Sequence, residues 1–129
     1  VSSYQLDADD GTLTVISRSV PTKQSAACWI AITRNGEYAY TTNTGSNTVT
    51  GYKVSEQGKL TRLSANGITA KTGVAPTDMA VLGNQTLFVL NRNDGTVGVY
   101  SVEKGGALTD RQLVGGLDGL VRPHGLVVK

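Results

Sequence analysis

The chain has 129 residues, enough for one domain, with 39% hydrophobic and 17% charged residues, which excludes a disordered composition. Net charge is +2 and the basic residues are scattered, which excludes a nucleic-acid-binding stripe and an acidic tail. One cysteine, Cys28, excludes an internal disulfide and a cysteine-based zinc site. The longest apolar runs are a few residues, too short for a membrane-crossing helix, so no membrane partner is expected. Sixteen glycines punctuate short β-rich runs with no sustained helical period, which points to an all-β chain.

The elements repeat along the chain. "VSSYQLDADDGTLT" opens it and reads as two strands joined by a polar turn. "CWIAIT" (28–33) and "EYAYTTN" (37–43) follow as a hairpin, with Asn35-Gly36 predicting a type I′ turn. "NTVTGYKV" (47–54) and "LTRLSA" (60–65) complete a group of four strands. "DMAVL" (78–82), "TLFVLN" (86–91), "GTVGVYSV" (95–102) and "LTDRQLV" (108–114) form a second group. "HGLVV" (124–128) reads as one further first strand.

The register is strict. Val1, Val49 and Val97 are 48 residues apart, as are Tyr4, Tyr52 and Tyr100, and Leu6, Val54 and Val102. Leu13, Leu60 and Leu108 follow at spacings of 47 and 48, and Asn43 and Asn91 are again 48 apart. Each repeated tyrosine shares a strand face with the apolar residue two positions on, so it is expected to pack against a neighbouring unit. Cys28 reads as a small buried apolar residue, because a nucleophile needs a base and the sole histidine, His124, lies about two units away.

Four antiparallel strands (A to D) per unit of this length describe a β-propeller blade. No Trp-Asp dipeptide and no kelch-type double-glycine pattern occurs. The expected boundaries are 1–26 for the outer strands of one blade, 27–74 and 75–120 for two full blades, and 121–129 for the inner strand of a closing blade. That is about two and a half blades, where closure takes about four to eight. An open arc leaves a blade face and a strand edge in water. The expected partners are therefore missing N-terminal blades, or further copies associating through exposed blade edges.

"YAYTTNTGSNTVTGYKVSEQGKLTRLSANGITAKTG", followed by "LFVLNRNDGTVGVYSVEKGGALT", resembles the lactonase-type seven-bladed propellers. That family includes bacterial 6-phosphogluconolactonases and fungal carboxy-cis,cis-muconate cyclases. The resemblance implies a C-terminal part of such a propeller. It also implies a longer protein that hydrolyses or forms a lactone of a sugar acid or a carboxymuconate, with no obligatory cofactor. The small-molecule partner is then a lactone or carboxylate. A non-catalytic propeller that binds a ligand or another protein is the alternative.

Propeller geometry puts the starts of strands A and the B–C loops on one face, and the A–B and C–D turns on the other. Trp29, Asp78 and His124 occupy equivalent strand-A starts, with Arg122 beside them. The B–C loops supply Asn43, Asn91 and Arg92. Lactone hydrolysis needs a base for water, donors for the oxyanion and a cation for an anionic substrate. His124 suits the acid or base, or it only bonds the closing strand. Asp78 suits a base or an orienting group, or it caps its own turn. Arg92 and Arg122 suit an anion, and Arg92 breaks the repeat, since Thr44 stands at its place in the other blade. Asn43 and Asn91 suit hydrogen-bond donation, though their recurrence fits a turn. Trp29, the sole tryptophan, lines a pocket or plugs the channel. "GGLDGL" (115–120) lacks the lysine of a phosphate loop, "NQT" (84–86) is a formal glycosylation sequon, and no metal-ligand spacing is present.

Overall fold

A computed structural model describes residues 1–117 and 123–128, in which eleven strands and no helix occur. β1 (Ser3–Leu6) and β2 (Leu13–Ser17) form an antiparallel hairpin. β3 (Ala27–Ile32), β4 (Tyr38–Asn43), β5 (Thr48–Val54) and β6 (Leu60–Arg62) form an antiparallel sheet in chain order, and β7 (Ala70–Lys71) adds to β5 beside β6. β8 (Pro76–Leu82), β9 (Thr86–Asn91), β10 (Thr96–Val102) and β11 (Leu108–Val114) form a second sheet of the same topology. The chain is thus all-β, a partial propeller of one outer hairpin and two successive blades.

The core lies between the blades. Tyr40, Val49 and Ala70 of the first blade pack on Met79, Leu87, Val89 and Tyr100 of the second. A smaller cluster of Ala39, Tyr52 and Leu60 packs against Val1 and Val20, on the side of the β1–β2 hairpin. Register explains the division. Ala39 lies opposite Ile32 and Tyr52 on one sheet face, while Tyr40 lies opposite Ala31 and Gly51 on the other. Polar bonds tie the blades as well. Tyr40 Oη donates to Gly106 O at 2.9 Å, and Asn35 N donates to Asn84 Oδ1 at 2.8 Å, joining the two A–B turns.

Tyr52 and Tyr100 pack as the repeat implies, each donating its phenol to a carbonyl of the preceding unit: Val20 O at 3.2 Å and Lys71 O at 2.9 Å. Burial raises all three interior phenols, Tyr100 to about 12 and Tyr40 and Tyr52 in the same direction. Tyr4 differs: no described unit precedes it, and it stays exposed.

Four local expectations need correction. The strand over 60–65 stops at Arg62 and resumes at Ala70, because residues 64–68 fold outward onto the β2–β3 connection. There Arg62 donates to Pro21 O and Ser64 O, both at 2.7 Å, and Gly67 at φ +86° passes so close to Thr22 O that a Cβ would clash. The Asn35-Gly36 turn is not type I′. Asn35 is absent from the positive-φ residues, while Gly36 has φ 74° and donates to Thr33 O, the longer loop with a glycine after the turn. Cys28 is exposed rather than buried, although its thiol lies 3.6 Å from Thr77 O at the start of the second blade. Residues 123–128 form no ladder with any described strand, and backbone groups without a partner strand make no sheet.

Candidate functional site

Both inner strands carry a bulge near their first residues. In β3 it falls between Ala27 and Ile30, and in β8 between Pro76 and Asp78. A bulge bends its strand and re-aims the side chains beside it. In β3 the displaced residues are Cys28 and Trp29; in β8 the displaced residue is Thr77, and Asp78 resumes the register opposite Leu90. Trp29 is 50% exposed, with its backbone held by the hydroxyls of Thr42 and Thr41. Asp78 is turned inward and is 5% exposed.

The Asp78 carboxylate has two backbone partners. Oδ1 accepts from Met79 N at 2.7 Å, and Oδ2 accepts from Leu126 N at 2.8 Å. It therefore clamps the 123–128 segment to the start of β8. On the same segment, His124 Nε2 lies 3.2 Å from Arg92 Nη1. A guanidinium only donates, so Nε2 is the acceptor and the bonded imidazole is neutral, with its proton on Nδ1. The Nδ1–H and the outer guanidinium donors are then available to an anion. Arg92 Nε is buried and has no partner among the described residues.

The first blade shows why Arg92 reaches this place. Thr44, its equivalent, crosses to the next blade and donates to Pro76 O at 2.7 Å. Pro76 and His124 are 48 residues apart, as are Thr44 and Arg92. The same backbone path brings a loop residue onto the next segment, at Pro76 of β8 in one case and at His124 of the 123–128 segment in the other. Only the side chains differ, a hydroxyl in one place and an arginine–imidazole pair in the other.

Asn43 and Asn91 are fully buried. Asn43 Nδ2 donates to Thr50 Oγ1 at 2.9 Å and Thr48 Oγ1 at 3.1 Å, and Asn91 Nδ2 donates to Thr96 Oγ1 at 3.0 Å. These bonds pin the B–C loops, the repeat-keeping alternative foreseen for them. Each leaves its amide oxygen buried without a partner among the described residues. Arg122 lies outside the described residues. The structure thus brings together His124, Arg92 and, through backbone, Asp78. Trp29 stands at the equivalent place one blade earlier. The Asp78 clamp was not foreseen, although the spacing of 48 between Asp78 and Leu126 signals it. Among the described residues, no group of three or more His, Cys, Asp or Glu could hold a metal. A groove of about 420 Å³ lined by Lys71, Tyr100 and Arg111 contains none of these candidates.

The sequence model of a family described as "Lactonase, 7-bladed beta-propeller" matches residues 1–116. Among solved structures, a functionally unknown protein from Desulfotomaculum acetoxidans superposes with a TM-score of 0.76 at 22% identity, over 88% of this chain and 34% of its own. A candidate 6-phosphogluconolactonase from Bacteroides uniformis gives a TM-score of 0.71 at 22% identity, over 90% of this chain and 35% of its own. The periplasmic gluconolactonase of Pseudomonas aeruginosa gives 0.69 at 17% identity, over 90% and 34%. The chain therefore spans about a third of the length of these structures. No curated protein matches it.

Proposed function

Because the chain belongs to the family of lactonase seven-bladed β-propellers, we propose that it is the C-terminal part of a lactonase that opens the ring of a sugar-acid lactone. The observation that carries this is the Arg92–His124 pair at 3.2 Å, where the B–C loop of the second blade meets the 123–128 segment. The names of two superposing proteins, a gluconolactonase and a candidate 6-phosphogluconolactonase, favour a sugar-acid lactone over a carboxymuconate.

An anionic substrate group draws the Arg92 fork away from Nε2. The freed lone pair takes a proton from water, and the hydroxide adds to the lactone carbonyl. The tetrahedral oxyanion collapses, the acyl–oxygen bond of the ring breaks, and the departing alkoxide recovers the proton from His124. Asp78 acts through position, holding the backbone that carries His124. Trp29 offers an apolar face to a sugar ring, and Arg122 is a second anion ligand in this reading. The remaining groups come from blades outside this chain, so the 129-residue chain alone is inactive.

The test is release of acid from glucono-δ-lactone and its 6-phosphate by the full-length protein. His124→Asn lowers kcat by roughly 10²–10⁴, and Arg92→Lys raises KM most for the phosphorylated substrate. Full activity in both variants overturns the assignment.

One observation favours the non-catalytic reading. Asp78, Asn43 and Asn91 are spent on internal hydrogen bonds, leaving His124 as the one described candidate for a general base. That reading predicts binding of gluconate by the full-length protein with no turnover of either lactone.

A further inference from the structure

A hydroxyl residue stands two places before an Asn-Gly pair twice in the chain, as Thr33-Arg34-Asn35-Gly36 between β3 and β4 and as Ser64-Ala65-Asn66-Gly67 after β6. The two turns are built alike. Asn35 Oδ1 accepts from Thr33 Oγ1 at 2.8 Å and from Glu37 N at 3.2 Å. Asn66 Oδ1 accepts from Ser64 Oγ at 2.6 Å and from Ile68 N at 3.0 Å. In each turn the glycine N–H donates to the carbonyl three residues back, Thr33 O at 2.8 Å and Ser64 O at 3.1 Å. Two donors on an amide oxygen polarise its carbonyl carbon, as an oxyanion hole does. The following glycine nitrogen is a nucleophile for that carbon once its own hydrogen bond opens, and glycine has no Cβ to block the approach.

The surroundings separate the two turns. Gly67 is buried, its carbonyl accepts from Thr50 Oγ1 at 2.6 Å, and Thr22 O occupies the place of a Cβ. Gly36 is exposed, and nothing lies within 4 Å of where its Cβ would stand. Asn35 Nδ2 also donates to Glu37 Oε2 at 2.9 Å, which fixes the amide with Oδ1 toward Thr33.

We propose that Asn35 is a site of self-modification, at which the Gly36 nitrogen closes on the side-chain amide. That nitrogen gives its proton to water and bonds to Cγ of Asn35. The oxyanion on Oδ1 collapses, the Cγ–Nδ2 bond breaks, and Nδ2 leaves as ammonia with a proton taken from water. Water then opens the succinimide. Addition at Cγ gives aspartate, and addition at the main-chain carbonyl gives isoaspartate, with one extra methylene in the backbone. Water enters, ammonia leaves, and nothing is oxidised or reduced. The consequence falls between the blades. Arg34 N donates to Gly83 O at 3.0 Å and Asn35 N to Asn84 Oδ1 at 2.8 Å, so this turn ties the first blade to the second. A lengthened backbone, with a new carboxylate beside Glu37, loosens that tie. The chemistry is independent of any lactone reaction.

The test warms the intact chain at mildly alkaline pH and follows acid and isoaspartate at both positions by peptide mapping, in buffer and in urea. In the folded chain Asn35 is expected to convert roughly tenfold or more faster than Asn66, whose turn must first unfold locally. In urea the two rates converge, because both carry the same Asn-Gly pair. Hydrogen exchange at the Arg34 and Asn35 amides is expected to quicken several-fold in the converted chain. Equal rates at Asn35 and Asn66 in the folded chain overturn the proposal, as does an Asn35 that converts only in urea.

Discussion

Met79 and Ile30 occupy the same place in successive blades, on the same face of an inner strand that pairs with one neighbour. One is buried and the other is nearly half exposed. Neither hydrogen bonding nor residue type separates them. The difference is the neighbouring unit: a blade covers Met79, and a lone outer hairpin leaves Ile30 open. Stability in such a stack belongs to the interfaces between units as much as to the units.

The largest expected effect follows directly. Met79→Ala removes atoms from the inter-blade core and should cost about 2–5 kcal/mol, whereas Ile30→Ala should stay within about 1 kcal/mol. Urea unfolding of the two variants measures both, and equal losses would break the comparison. Next come the tyrosines. Tyr100→Phe removes the bond to Lys71 O and should cost about 1 kcal/mol, while Tyr4→Phe should change almost nothing.

The interior phenols also set a pH limit. Tyr100 is raised from 10.0 to about 12 by burial, so above pH 10 the unfolded chain releases its proton before the folded chain does. The unfolded state then binds fewer protons, and stability falls as pH rises from about 10 to 12. Tyr100→Phe should flatten part of that fall in melting temperature.

A smaller, local effect concerns the clamp. Asp78→Asn replaces one carboxylate oxygen by a donor, so a backbone N–H loses its acceptor. The Leu126 amide should exchange several-fold faster, with little change in global unfolding.

Much of the fold was legible because the repeat is written in buried residues. Tyr52, Tyr100, Asn43 and Asn91 recur because each blade needs the same packing and the same loop pin. The break between β6 and β7 was not legible, because it comes from a contact with the distant β2–β3 connection at Thr22. Cys28 and Tyr4 were expected to pack, and both lie open: Tyr4 has no described neighbour on its outer side, and Cys28 meets the second blade only at Thr77 O. The geometry of the candidate site was legible only in part. The repeat-breaking Arg92 and the lone His124 stood out, and the fold joins them. The role of Asp78 was hidden, since its partner is a backbone N–H, which carries no residue-specific signal.

Hydrogen exchange of the unmodified chain, read separately for β3 and β8, tests the comparison most directly. The two strands hold the same place in their sheets and differ in what covers them. Amides of β8 should exchange at least roughly tenfold more slowly than those of β3. Equal rates would contradict the claim that the neighbouring blade, rather than the strand's own sheet, confers protection.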